Sequence, residues 1–147
     1  AVAALLEERD EAHDEADGAH NGESAQRLEV ALHEWFPGRK WRLIFGASSD
    51  KDFAAMFDAL LPMTSRVILT RARTARAADP ERLADLVTAR GKQVEVAESV
   101  ADALDLALRT SDDGAGVIIT GSLFVAAEAE AAWAARTGAP MPETDYE

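Results

Sequence analysis

The chain has 147 residues, of which 48% are hydrophobic and 29% charged, values of one globular domain long enough to bury a real core. Its 27 acidic residues against 15 basic ones give a net charge of −12, which repels phosphate backbones and excludes nucleic acid as the expected partner; no apolar run reaches the roughly 20 residues that cross a bilayer, so no membrane partner is expected either. No cysteine is present, which removes disulfides, thiolate catalysis and Cys-based metal sites and makes the cytoplasm the expected compartment.

Residues 1–16 alternate small apolar residues with ionisable ones and carry neither a basic leader nor a long apolar stretch, so no secretory signal is expected. Seven carboxylates fall between Glu7 and Asp17 against the single Arg9, and this composition predicts an acidic peripheral helix or a disordered lead. Asp17-Gly18-Ala19-His20-Asn21-Gly22 is turn chemistry. A helix is expected to open at Glu23 or Ser24, with Ala25, Leu28, Leu32 and Trp35 or Phe36 at helical spacing, and to stop at Pro37-Gly38.

From there strands and helices alternate. Trp41 to Gly46 reads as a strand, Asp50 to Leu61 as a helix, and Arg66 to Thr70 as the next strand. After an Arg-rich loop, Pro80 takes the first turn of a helix that ends at Gly91. Gln93 to Ala97 is a short, partly polar strand suited to an edge. Ser99 caps the following helix, Val117 to Thr120 is the most hydrophobic strand, and Gly121-Ser122 opens an Ala-rich helix to about Thr137. Such βαβ units predict a three-layer, Rossmann-like α/β domain: a mostly parallel sheet with helices on both faces. Its expected span is 17–137, with 138–147 as a surface tail.

Ligands of open parallel sheets bind beyond the carboxyl ends of the strands. Two strand-to-helix junctions there hold unusual residues: Gly46-Ala47-Ser48-Ser49-Asp50-Lys51-Asp52 and Thr120-Gly121-Ser122. A helix start offers unpaired amides and partial positive charge, so a carboxylate or phosphate suits these places. The same glycines also serve tight turns, and Asp50 and Ser122 also serve as caps. His13, His20 and Asp17 lack the spacing of a metal site, and no metal is expected. The sequence contains no Gly-x-x-x-x-Gly-Lys-Ser/Thr phosphate loop and no Gly-x-Gly-x-x-Gly fingerprint. No Gly-x-Ser-x-Gly elbow occurs, and all three histidines precede position 34, so a hydrolase triad has little support.

The Asp17-Gly18-Ala19-His20-Asn21 turn, the strand ending in Phe45-Gly46-Ala47, and the pair Lys51-Asp52 resemble the C-terminal domain of folylpolyglutamate and dihydrofolate synthases, relatives of the Mur ligases. Leu61-Pro62, the strand RVILT, Arg76-Ala77, the helix at Ser99 to Leu108 and Ile119-Thr120-Gly121-Ser122-Leu123-Phe124 continue the same order over about residues 17 to 133. The resemblance implies ATP-dependent joining of glutamate to a folate carboxylate, with ATP and magnesium as cofactors of the complete ligase and the phosphate loop on a central domain. It implies that Lys51, Ser122 and His20 bind glutamate, that Asp17 and Asn21 face the nucleotide, and that this chain alone holds no cofactor, supplies no catalytic residue and is inactive. In that family a buried strand runs into the Asp-Gly-Ala-His-Asn turn. Residues 10–16 are too polar for one, so the strand is expected to be missing or replaced. That gap leaves a second reading open, a standalone binding or regulatory α/β domain derived from the same family.

Overall fold

The computed structural model describes residues 2–4, 20–109 and 116–140. Within them five strands and five helices alternate: β1 (Val2–Ala4), α1 (His20–Trp35), β2 (Trp41–Phe45), α2 (Phe53–Leu60), β3 (Thr64–Leu69), α3 (Pro80–Ala89), β4 (Val94–Val96), α4 (Val100–Arg109), β5 (Gly116–Thr120) and α5 (Leu123–Thr137). All pairings are parallel, in the order β1-β5-β2-β3-β4. β2 and β5 are therefore neighbours although α2, β3, α3, β4 and α4 separate them in sequence.

Alternation along the central strands divides the core in two, because successive side chains leave opposite faces of a sheet. Leu43, Phe45, Val67, Leu69 and Ile118 pack under α1, α2 and α3 with Leu28, Phe57 and Leu83. Ile44, Ile68, Val117 and Ile119 pack under α4 and α5 with Val100, Leu104, Val125 and Ala129. β2 and β5 are buried along their whole length, which explains their continuous apolar reading. β4 is only half-buried and lies at an edge, as its polar composition requires.

The structure corrects the reading of the N-terminus. Val2–Ala4 is a strand, not the start of a peripheral helix, and it pairs with Val117, Ile118 and Ile119 of β5. Three small apolar residues suffice there because the neighbouring strand supplies the backbone partners. The acidic block begins beyond it, and residues 5–19, including Asp17, lie outside the described residues. α1 starts at His20 rather than at Glu23 or Ser24, so the second half of the expected turn is helical. Gly22 permits this by its bareness: a Cβ there would come within 2.9 Å of the Ala55 Cβ on α2. Of the two aromatic candidates ending α1, Trp35 is exposed, whereas Phe36 packs against the core and meets Trp41 edge-on at 5.4 Å.

Candidate functional site

The carboxyl ends of β5, β2 and β3 meet in a floor made of backbone. Phe45 is in register with Thr120 and with Leu69, and the Gly46 amide donates to the Thr120 carbonyl at 3.4 Å. Gly121 has φ 116°, a region that side chains oppose, and a Cβ on it would collide with the Gly46 carbonyl oxygen. A Cβ on Gly46 would in turn stand 2.6 Å from the Thr70 carbonyl oxygen and 3.0 Å from Val125 of α5. Both glycines thus let two strand-to-helix junctions close on each other.

On one side of this floor α5 begins. Half-buried Ser122 is its cap: the hydroxyl accepts from the Val125 amide at 3.0 Å, and the Ser122 carbonyl accepts from Ala126 at 3.1 Å. A hydroxyl that accepts through a lone pair still has its proton to donate, so Ser122 can hold an anion and cap the helix at once. The helix start adds its partial positive charge.

On the other side lies the loop 46–52, held by the loop after β3. Ser48 bridges Ala77 antiparallel, the Ser49 amide donates to the Arg76 carbonyl at 2.8 Å, and the Ala78 amide donates to the Ala47 carbonyl at 2.8 Å. Asp50 accepts from the Ser48 hydroxyl at 2.9 Å and from Arg76 Nη2 at 3.3 Å. The Ser48 hydrogen bond foremost, then a hydrogen bond from its own backbone amide and the charges of Arg76 and Lys51, hold its carboxyl below the ordinary aspartate value against a small opposing effect of burial. Asp50 is thus not the cap expected of it. Asp52 takes that role, accepting from the Ala55 amide at 3.2 Å, and α2 starts at Phe53. Lys51 sits half-buried between these carboxylates, with its amide donating to the Ser48 carbonyl at 3.2 Å.

Lys51 and Ser122 therefore occupy adjacent loops on one edge of the sheet. His20 and Asn21 open α1, whose first turn packs on the first turn of α2 through Gly22 and Ala55, so their backbone reaches the same edge. Sequence reasoning missed the cross-loop ties and the clamp at Arg73, whose amide donates to Glu128 Oε2 of α5 at 2.8 Å. The signal for that loop was present as three arginines, Arg71, Arg73 and Arg76, in an otherwise acidic chain. Among the described residues no group of three His, Asp or Glu side chains is placed to hold a metal ion, and no helix is long and apolar enough to cross a membrane.

A family model described as Mur ligase, glutamate ligase domain, matches residues 7–123. A probable bifunctional folylpolyglutamate synthase/dihydropteroate synthase of Haloferax volcanii is 37% identical over 129 residues, 87% of this chain and 15% of that protein. The Mycobacterium tuberculosis folylpolyglutamate synthase complexed with ADP and AMPPCP is similar in structure, with a TM-score of 0.70 and 30% identity over 86% of this chain and 30% of that one. The bifunctional folylpolyglutamate synthase/dihydrofolate synthase of Yersinia pestis, complexed with AMPPNP and Mn ion, gives 0.67 at 26% identity over 80% of this chain and 27% of that one. The chain spans less than a third of each of these relatives. It belongs to the Mur ligase, glutamate ligase domain family, in the form of the C-terminal domain of folylpolyglutamate synthases.

Proposed function

We propose that this chain is the glutamate- and nucleotide-facing domain of an ATP-dependent folate–glutamate ligase of the cytoplasm, and that it does not turn over ATP alone. The observation that carries this reading is the adjacency of the Lys51 loop and the Ser122-capped start of α5, which gives one anionic amino acid two points of attachment. Lys51 offers a compact positive charge to one carboxylate of glutamate, and Ser122 with the helix start offers hydrogen bonds to the other. His20 at the start of α1 is the third glutamate contact, while Asp17 and Asn21 face the nucleotide.

The work of this domain is positioning. An amine donor that carries two carboxylates must be neutralised before its nitrogen can approach a folate carboxylate activated by ATP. ATP and magnesium belong to the complete ligase, whose phosphate loop this sequence does not contain. No step of this chain's own residues runs through them. The second reading is a standalone binding or regulatory α/β domain derived from the same family, and it rests on the polar residues 10–16 where that family has a buried strand.

The test is titration of the chain with L-glutamate, followed by amide chemical shifts. Changes concentrated at residues 46–52 and 121–126, and lost in Lys51→Ala, are expected. Changes confined to other loops, or steady phosphate release from ATP by the repurified chain, refute the assignment.

A further inference from the structure

Two routes join the start of α5 to the Lys51 loop. The short one is the approach of Gly121 to Gly46, which sets the ends of β5 and β2 side by side and holds the root of that loop. The long one begins at Glu128, half-buried in the second turn of α5, whose Oε2 accepts from the Arg73 amide at 2.8 Å across 55 residues of sequence. From Arg73 the chain turns tightly: the Thr74 amide donates to the Ala72 carbonyl at 2.8 Å and the Ala77 amide to the Thr74 carbonyl at 3.2 Å. It then grips the Lys51 loop on both sides of Ser48. There the Ser49 amide donates to the Arg76 carbonyl, the Ala78 amide donates to the Ala47 carbonyl, and Arg76 pairs with Asp50. Ala72, buried under α4 and α5, anchors the near end of this turn in the core. Little slack is left between Glu128 and Asp50, the neighbour of Lys51.

We propose that Glu128 is a positioning residue: through the Arg73 amide it fixes the loop after β3 against α5, and that loop sets where Lys51 stands relative to Ser122. The inference rests on the glutamate reading of Lys51 and Ser122 and adds the residue that sets their spacing. Glu128 acts through the Lys51 loop and not on the ligand. A carboxylate suits this task, because an ionised acceptor makes a shorter and stronger bond to an amide than a neutral one. The bond lies near the surface, so its net contribution to folding is small. Two points of attachment serve one ligand only when their spacing matches it, and a slip of about 1 Å weakens binding in a chain that still folds.

The experiment measures L-glutamate affinity by amide chemical shifts, and stability by urea unfolding, in the unaltered chain, Glu128→Ala and Glu128→Gln. Glu128→Ala is expected to bind glutamate about tenfold more weakly while unfolding close to the parent. Its ligand-free spectrum is expected to differ at residues 73–78 and 47–52 and at the Lys51 Cε signal, which a purely structural bond on α5 would not move. Glu128→Gln keeps an oxygen for the Arg73 amide and is expected to restore affinity to within about threefold of the parent. Unchanged affinity in Glu128→Ala overturns the proposal, and so does a loss that Glu128→Gln fails to restore. An unfolded Glu128→Ala also overturns it, because the bond would then be a structural one. The two readings fail differently: unchanged affinity in Glu128→Ala leaves the glutamate site standing, whereas a parent chain with no glutamate response at Lys51 and Ser122 removes both.

Discussion

Gly121 lies so close to Gly46 that the space for its side chain is occupied by the Gly46 carbonyl oxygen. The contact joins the end of β5 to the end of β2 and so fixes the distance between the Ser122 and Lys51 loops. Stability and ligand geometry share one constraint here. Gly121→Ala must adopt a positive φ and displace a backbone oxygen, and we expect a loss of about 2 kcal/mol or more in urea unfolding. Gly46→Ala meets the Thr70 carbonyl oxygen and is expected to lose stability as well. Either variant as stable as the parent would mean the two junctions are not locked.

At the candidate site itself, capping and ligand binding are separable in Ser122. Ser122→Ala removes the cap and is expected to cost about 1 kcal/mol. Ser122→Asp keeps a capping oxygen for the Val125 amide but sets a negative charge against the incoming carboxylate. It is expected to unfold like the parent and to lose glutamate-induced shifts. Lys51→Ala is expected to alter stability by no more than about 0.5 kcal/mol while losing the same response. Retained glutamate binding in Ser122→Asp would remove Ser122 from the site.

The strands of the middle of the sheet were legible because β2, β3 and β5 are rich in apolar residues, and α3 because Asp79-Pro80 marks a helix start in any context. β1 was not, since Val2-Ala3-Ala4 carries no strand pattern of its own and is specified by pairing with β5. The start of α1 was hidden by Gly22, a poor helix former tolerated for its close approach to Ala55. The site was legible as two helix starts. The ties that hold it, Ser48 to Ala77 and Arg73 to Glu128, are long-range contacts with no local signature.

The acid behaviour of Asp50 tests those ties. Its carboxyl is held below the ordinary value of 3.8, chiefly by the Ser48 hydroxyl. A depressed folded value means that the stabilisation is fully present above the unfolded value and disappears as pH falls through the lower folded one. Asp50→Asn is therefore expected to lose less stability than the parent on acidification from pH 5 to below 3.8, by a small margin because the side chain is 60% exposed. In a carboxyl-carbon NMR titration Ser48→Ala is expected to raise the Asp50 value more than Arg76→Gln does. The reverse order would make the ion pair, not the hydroxyl, the principal cause.

Below the site, Arg42 is 6% exposed, and its Nη1 donates to the Ala107 carbonyl near the end of α4. The last turn of a helix carries partial negative charge, so this guanidinium both bonds a terminal carbonyl and complements the dipole. It ties β2 to the helix that carries the chain back from β4 to β5, and hence supports the adjacency on which the site depends. Arg42→Ala leaves a carbonyl without this donor and a void where the side chain stood, and is expected to cost about 3 kcal/mol. Arg42→Met fills most of the void, which leaves the lost hydrogen bond as the main deficit, about 1 to 2 kcal/mol. Urea unfolding of the two variants separates packing from polarity: if Arg42→Met matches the parent, the bond to Ala107 contributes nothing and β2 is held to α4 by shape alone.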